Sequence, residues 1–160
     1  MSEAPPAFTT QANYVDTSNM KVYHLPAWDN FDDRQKLDVI VQIIKQYGRD
    51  PRIAALAVSI LKQAGCKPRE YKKQAEALLR FVQTQIYYIN EPVERLQSPL
   101  HTLKIGFGDC DDLAILLCSL FESINLPWKL VVSGQTPEGA LIRYHTGDSK
   151  YRQIPYSHIY

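Results

Sequence analysis

The run Gly106-Phe107-Gly108-Asp109-Cys110-Asp111-Asp112-Leu113-Ala114-Ile115-Leu116-Leu117 constrains this chain more than any other stretch. It reads as a glycine-bearing turn that breaks into a helix with a cysteine in its first turn. Gly106 and Gly108 permit backbone conformations and close approaches that a β-carbon resists. Asp109 is a natural N-cap, because its carboxylate accepts from the open amides of the following turn. Cys110 then falls at N1, where free N–H groups and the positive end of the helix favour thiolate over thiol. Leu113, Ala114, Leu117, Leu120, Phe121 and Ile124 recur at three and four residues, which predicts one apolar stripe facing the core.

The ordinary fate of a cysteine is to be buried and inert, and Cys66 and Cys118 fit that description. Cys66 follows Gly65 at a predicted helix end, and Cys118 lies inside the apolar helix. Asp111 and Asp112 oppose a thiolate at Cys110 by like-charge repulsion, yet they also suit a helix N-terminus. Three cysteines without paired spacing predict neither a disulfide framework nor a zinc site. With 18 basic and 17 acidic residues the net charge is +1, so nothing draws the whole chain to nucleic acid or an anionic membrane. No apolar run spans a bilayer and no signal peptide opens the chain, so a cytoplasmic setting (host cytoplasm, or virion if phage-encoded) is expected.

In chain order, 1–31 reads as an extended arm, polar and proline-bearing, with one short strand near Lys21–Leu25 and two large apolar groups, Trp28 and Phe31. A domain is expected over 32–160, built of added helices over 32–68 and a core over 69–160. Asp32 or Asp33 caps a first helix whose Leu37, Ile40, Val41, Ile44 and Tyr47 form a stripe ending at Gly48. Asp50-Pro51 opens a second, with Ile53, Leu56, Ala57, Ile60, Leu61 and Ala64 inward up to Gly65. Pro68 leads a third, with Ala75, Leu78, Leu79, Val82 and Ile86 inward and a polar face rich in Lys and Arg. Ser98-Pro99 starts a short helix through Leu103, and the cysteine helix ends at Asn125-Leu126-Pro127. Beyond it the period becomes two. Strands are expected over Trp128–Ser133, Ala140–His145 and Gln153–Tyr160, with turns at Gly134–Gly139 and Thr146–Lys150. Helices followed by a small antiparallel sheet packed on the cysteine helix make the fold class α+β.

A reactive thiol needs a base. His24 lies in the arm, and His101 on the short helix before the thiol. His145 ends one strand and His158 lies in another. A strand that follows a helix–strand unit can pack against that helix's N-terminus, which ranks His158 over His145 without excluding the latter. A Cys–His pair activates the nucleophile and then protonates the leaving group.

Tyr87-Tyr88, Ser98-Pro99 through Leu103, Gly108-Asp109-Cys110-Asp111-Asp112-Leu113-Ala114 and a strand from Trp128 together resemble the transglutaminase-like superfamily. Ser157-His158-Ile159-Tyr160 resembles that superfamily's histidine strand. The likeness runs from about residue 70 to Tyr160, and tailed-bacteriophage and prophage members are the nearest in appearance. It implies a papain-like core with Cys110 as nucleophile and His158 as base, and it implies no cofactor and no metal. An oxyanion hole would use the Cys110 amide, with Asp109, Tyr88 and Gln97 as the candidate supporting residues. The superfamily's orienting aspartate lies on the strand after the histidine strand, whereas this sequence reaches only two residues past His158. Asp148, in a predicted turn, is a poor substitute.

Two functions follow as expectations. One is an enzyme that passes an acyl group from an amide of a peptide or protein substrate through a thioester, with water preferred to an amine as acceptor. The other is a catalytically degenerate interaction module, such as a tailed-phage neck, tail or capsid component. In the second case a protein partner completes the C-terminal sheet or binds the N-terminal arm.

Overall fold

The computed structural model describes residues 22–23, 33–90, 96–135 and 141–148, with side-chain environments over 35–90 and 96–130. The order is β1 (Val22–Tyr23), α1 (Asp33–Gly48), α2 (Pro51–Gln63), α3 (Tyr71–Gln85), β2 (Tyr87–Tyr88), β3 (Leu96–Gln97), α4 (Pro99–Ile105), β4 (Phe107–Gly108), α5 (Cys110–Ser123), β5 (Lys129–Gln135) and β6 (Leu141–Asp148). Helix α5 is the hub. Helices α1, α2, α3 and α4 all pack against it, as do β3 and β4.

Local chemistry explains most element boundaries. At α2 the Asp50 carboxylate accepts from the Arg52 amide at 2.9 Å with Pro51 in the first turn. Its side chain also pairs with Arg52 at 2.7 Å, and those bonds hold the Asp50 carboxyl below the usual carboxylate range. Ser98 caps α4, accepting from the His101 amide at 3.2 Å, and Pro99 follows it. Gly106 ends α4 at φ +77°, a left-handed position where any β-carbon is strained.

The inward residues expected for α1, Leu37, Ile40, Val41, Ile44 and Tyr47, are all buried. Three other stripes need correction. On α2, Ala64 lies past the helix end and is exposed. On α3, Leu79 is 40% exposed while Phe81 is buried, because Leu78, Phe81, Val82 and Gln85 form the face that meets the core. On α5 the deepest residues are Asp112, Ile115, Leu116, Cys118, Ser119 and Leu120; of the expected stripe only Leu120 is among them, while Leu113, Ala114, Leu117, Phe121 and Ile124 pack around them partly buried. A helix enclosed by four others is apolar on most sides, so no single stripe marks its inner face.

The strands form three two-stranded pairings rather than one antiparallel sheet on the cysteine helix. The pair leading into α5 is parallel, Tyr87 opposite Phe107 and Tyr88 opposite Gly108. In the β5–β6 ladder Leu130 faces Gly147 and Val131 faces His145, so Thr146 is the extra residue of a bulge. This hairpin lies beside α1. Strand β6 continues through Asp148, across the first part of the turn expected at Thr146–Lys150. The predicted strand 153–160 and nearly all of the arm lie outside the described residues.

The hairpin is tied to the helices through Glu122 on α5. Its carboxylate accepts from Lys45 of α1 at 3.1 Å and from the Trp128 indole at 2.9 Å. The Lys45 ammonium also stands 5.5 Å over the Trp128 ring. Gly48 matters here, since a β-carbon at that position would run into the Glu122 side chain.

Candidate active site

Asp109 and Asp112 fix the start of α5 by reciprocal capping. The Asp109 carboxylate accepts from the amides of Asp111 at 3.1 Å and Asp112 at 3.2 Å, and Asp112 Oδ2 accepts in return from the Asp109 amide at 3.1 Å. Two open donors of the helix end and the amide ahead of them are thereby satisfied.

Asp112 does more than cap. Its other oxygen, Oδ1, accepts from the Gln97 amide on β3 at 3.0 Å, and the residue is fully buried. One carboxylate thus pins the cysteine turn to a neighbouring strand. Gly108 makes room for it, because a β-carbon there would lie 2.7 Å from Asp112 Cβ. Burial pushes the Asp112 carboxyl up to about 7, against the Gln97 amide bond, which favours the charged form, and with the Asp109 charge adding to the rise.

Cys110 follows at the first helical position with an exposed side chain. Its Sγ donates to Asp111 Oδ1 at 3.7 Å. The thiol is held above its ordinary range, first by loss of hydration against the surrounding chain, then by the charges of Asp111 and Asp109. Loss of hydration, with the neighbouring acids adding to it, thus favours the thiol over the thiolate at Cys110 within its described surroundings. Cys118, by contrast, is buried in α5 and pushed up to about 12 by burial and the Glu122 charge, an inert core position.

Tyr88 is 60% exposed and stands in register with Gly108, two residues ahead of the thiol. The Ile89 amide donates to the Gly108 carbonyl at 2.9 Å, extending that pairing toward the helix start. Gln97 is buried; its amide serves Asp112 and its side-chain Oε1 accepts from Thr102 Oγ1 at 3.0 Å. Its described bonds thus run to the interior of the cysteine turn. His101 sits half-buried on α4. His145 lies on β6 opposite Val131, and Asp148 ends that strand opposite Lys129. His24 and His158 lie outside the described residues. Cys110, Asp109, Tyr88 and Gln97 are thus all carried by the elements that meet at the start of α5.

Sequence reasoning missed the part played by Asp112. The signal was present as Asp109-x-x-Asp112, the spacing of a capping box. Its bond to Gln97 crosses 15 residues and carries no local signature. Among the described residues no group of three or more His, Cys, Asp or Glu side chains is placed to hold a metal ion. No helix there is long and apolar enough to cross a membrane.

No curated protein and no solved structure matches the chain. The transglutaminase-like superfamily profile matches residues 60–150, which include α3, the whole cysteine turn, α5 and both strands of the hairpin. That segment holds Cys110 and His145, and it is more than half of the 160 residues: the chain belongs to the transglutaminase-like superfamily.

Proposed function

We propose that this protein is a cysteine-dependent acyl-transfer enzyme that cleaves amide bonds with water, a peptidase or amidase. The observation that carries this reading is the exposed Cys110 thiol at the first position of a buried helix whose start is fixed by two reciprocal carboxylates. A nucleophile held on a rigid element meets a carbonyl in a reproducible geometry.

The described neighbours alone hold the thiol protonated, so a base must take its proton and stand beside it as an imidazolium before the sulfur attacks the amide carbon. His158 is that base in this reading, with His145 as the alternative. The carbonyl oxygen gains the negative charge, and the Cys110 N–H, among the amides a helix leaves without an internal partner, donates to it. Collapse breaks the C–N bond; the imidazolium protonates the departing amine and a thioester remains. Water, deprotonated by the same imidazole, attacks the thioester carbon and releases a carboxylic acid and the thiol. In this reading Tyr88, exposed and in register with Gly108, touches the substrate flanking the scissile bond.

The acids around Cys110 favour a second reading, in which the scaffold is kept and the thiol is idle. The protein then serves as an assembly component, of which a tailed-phage virion part is one example. Site-resolved alkylation of Cys110 by iodoacetamide, followed from about pH 5 to about pH 9, separates the two. A midpoint well below the free-cysteine value of roughly 8.5, lost in His158→Ala, supports the enzyme with His158 as base. Loss in His145→Ala instead moves the base to His145. A midpoint indifferent to both histidines sinks the enzymatic reading.

A further inference from the structure

Helices α2 and α3 leave a groove of about 480 Å³ between them. Ala64 and Ala77 supply its accessible apolar floor over the buried Ile60 and Phe81, and the exposed Lys73 and Arg80 also line it. A second hollow along α3, lined by Arg69 and Lys72 among others, shares Lys73 and Glu76 with the first, so the two form one continuous surface. No lining residue belongs to α5 or to the strands around the cysteine turn, so this surface is separate from the thiol site.

Charge is concentrated there. Residues 62–80 carry six basic side chains, Lys62, Lys67, Arg69, Lys72, Lys73 and Arg80, against Glu70 and Glu76. That is a local +4 in a chain of +1, which leaves the remainder net negative. Both acids are already engaged: Glu70 accepts from the Lys67 amide at 2.7 Å, and Glu76 lies 4.0 Å from Lys72. Among the described residues neither Lys73 nor Arg80 takes part in an ion pair, and both are exposed. A solvated helix face accounts for scattered cations, but not for a cavity with an apolar floor between them.

We propose that this groove docks an acidic segment of a partner protein, one that carries apolar side chains between its carboxylates. The lining cations recognise the carboxylates, and the floor takes the apolar groups. A nucleic acid would engage the cations and could stack a base on the exposed Tyr71 of the second hollow, but it would leave the aliphatic floor unfilled, and the oligodeoxythymidine control below tests it directly. A membrane surface fits less well because the site is concave.

The probe is a fluorescein-labelled helical peptide with glutamates on one face and leucines on the other, titrated with the full chain by anisotropy. A polyglutamate peptide and an oligodeoxythymidine of equal charge run beside it. The amphipathic peptide should bind most tightly, and its Kd should rise by about tenfold or more in Lys73→Glu/Arg80→Glu. Ala64→Asp, which places a charge on the exposed end of the floor without touching the cations, should weaken the same peptide. All substituted positions are exposed, and unchanged thermal unfolding of the variants confirms that the fold is kept. Equal or tighter binding of either control, or wild-type affinity in the double variant, overturns the proposal.

Discussion

At Asp111 one carboxylate adds to the loss of hydration that holds up the Cys110 thiol. Because the charged oxygen lies beside Cys110 Sγ, ionisation of sulfur places two negative charges together, and the thiol is held above its ordinary range. Replacing Asp111 by Asn removes one of those charges, so the thiol must titrate lower. Iodoacetamide should then modify Cys110 a few-fold faster at neutral pH in Asp111→Asn than in wild type, with Cys110→Ser as the site control. An unchanged rate would mean that loss of hydration and the Asp109 charge hold the thiol up without help from Asp111. Asp112 makes a different prediction. Its carboxyl titrates near 7 in the fold but near 3.9 in an unfolded chain, so between those values the folded state holds a proton that the unfolded state has lost. Stability is therefore full below about pH 4, falls as pH rises toward 7, and levels off above it. Melting temperatures from pH 4.5 to pH 8 should show this decline in wild type and a flatter profile in Asp112→Asn. Asp112→Ala should also cost about 2–4 kcal/mol, since the Asp109 and Gln97 amides both lose their acceptor.

Within the cysteine turn, Gly106 and Gly108 are glycines for different reasons, and substitution separates them. Gly106 has open space around a β-carbon but a φ of +77°, so the obstacle is conformational. Gly106→Ala should cost about 1–2 kcal/mol and Gly106→Asn distinctly less, because asparagine tolerates the left-handed region. Gly108 has no such φ. Its obstacle is the Asp112 side chain, which two hydrogen bonds hold in place, so Ala and Asn should both be destabilising there, by about 1–3 kcal/mol. Equal behaviour of asparagine at the two sites, in chemical denaturation, would refute the distinction. The same turn shows how far the sequence was legible. The Asp109 cap and Cys110 at N1 could be read because capping acts over three residues. The Gly108–Asp112 contact could be read only as permission, since what occupies the space is set by a bond to Gln97. Two-residue strands such as β2 and β4 carry no periodicity, so their parallel pairing left no trace. On α3, adjacent Leu78 and Leu79 could each have faced inward, and the choice fell to the packing of Phe81 against its neighbours.

Across the molecule the helices and the hairpin are separate layers, and Glu122 is their polar joint. It sits on α5, accepts from Lys45 on α1, and accepts from the Trp128 indole just ahead of β5. No spacing in the sequence announces this joint, because Lys45 and Glu122 are 77 residues apart. A buried Trp128 N–H without its acceptor costs about 1–3 kcal/mol, and Lys45 would lose its ion pair with Glu122. Glu122→Ala should therefore lower stability by roughly that amount. Emission of Trp128, recorded in a Trp28→Phe background, should shift to the red as water reaches the indole. Glu122→Gln is the discriminating companion. Its amide oxygen can still accept from the indole while the ion pair with Lys45 is lost, so most of the stability and the blue-shifted emission should survive. A Gln variant as damaged as the Ala variant would mean that the Lys45 charge, rather than the indole bond, holds the layers together.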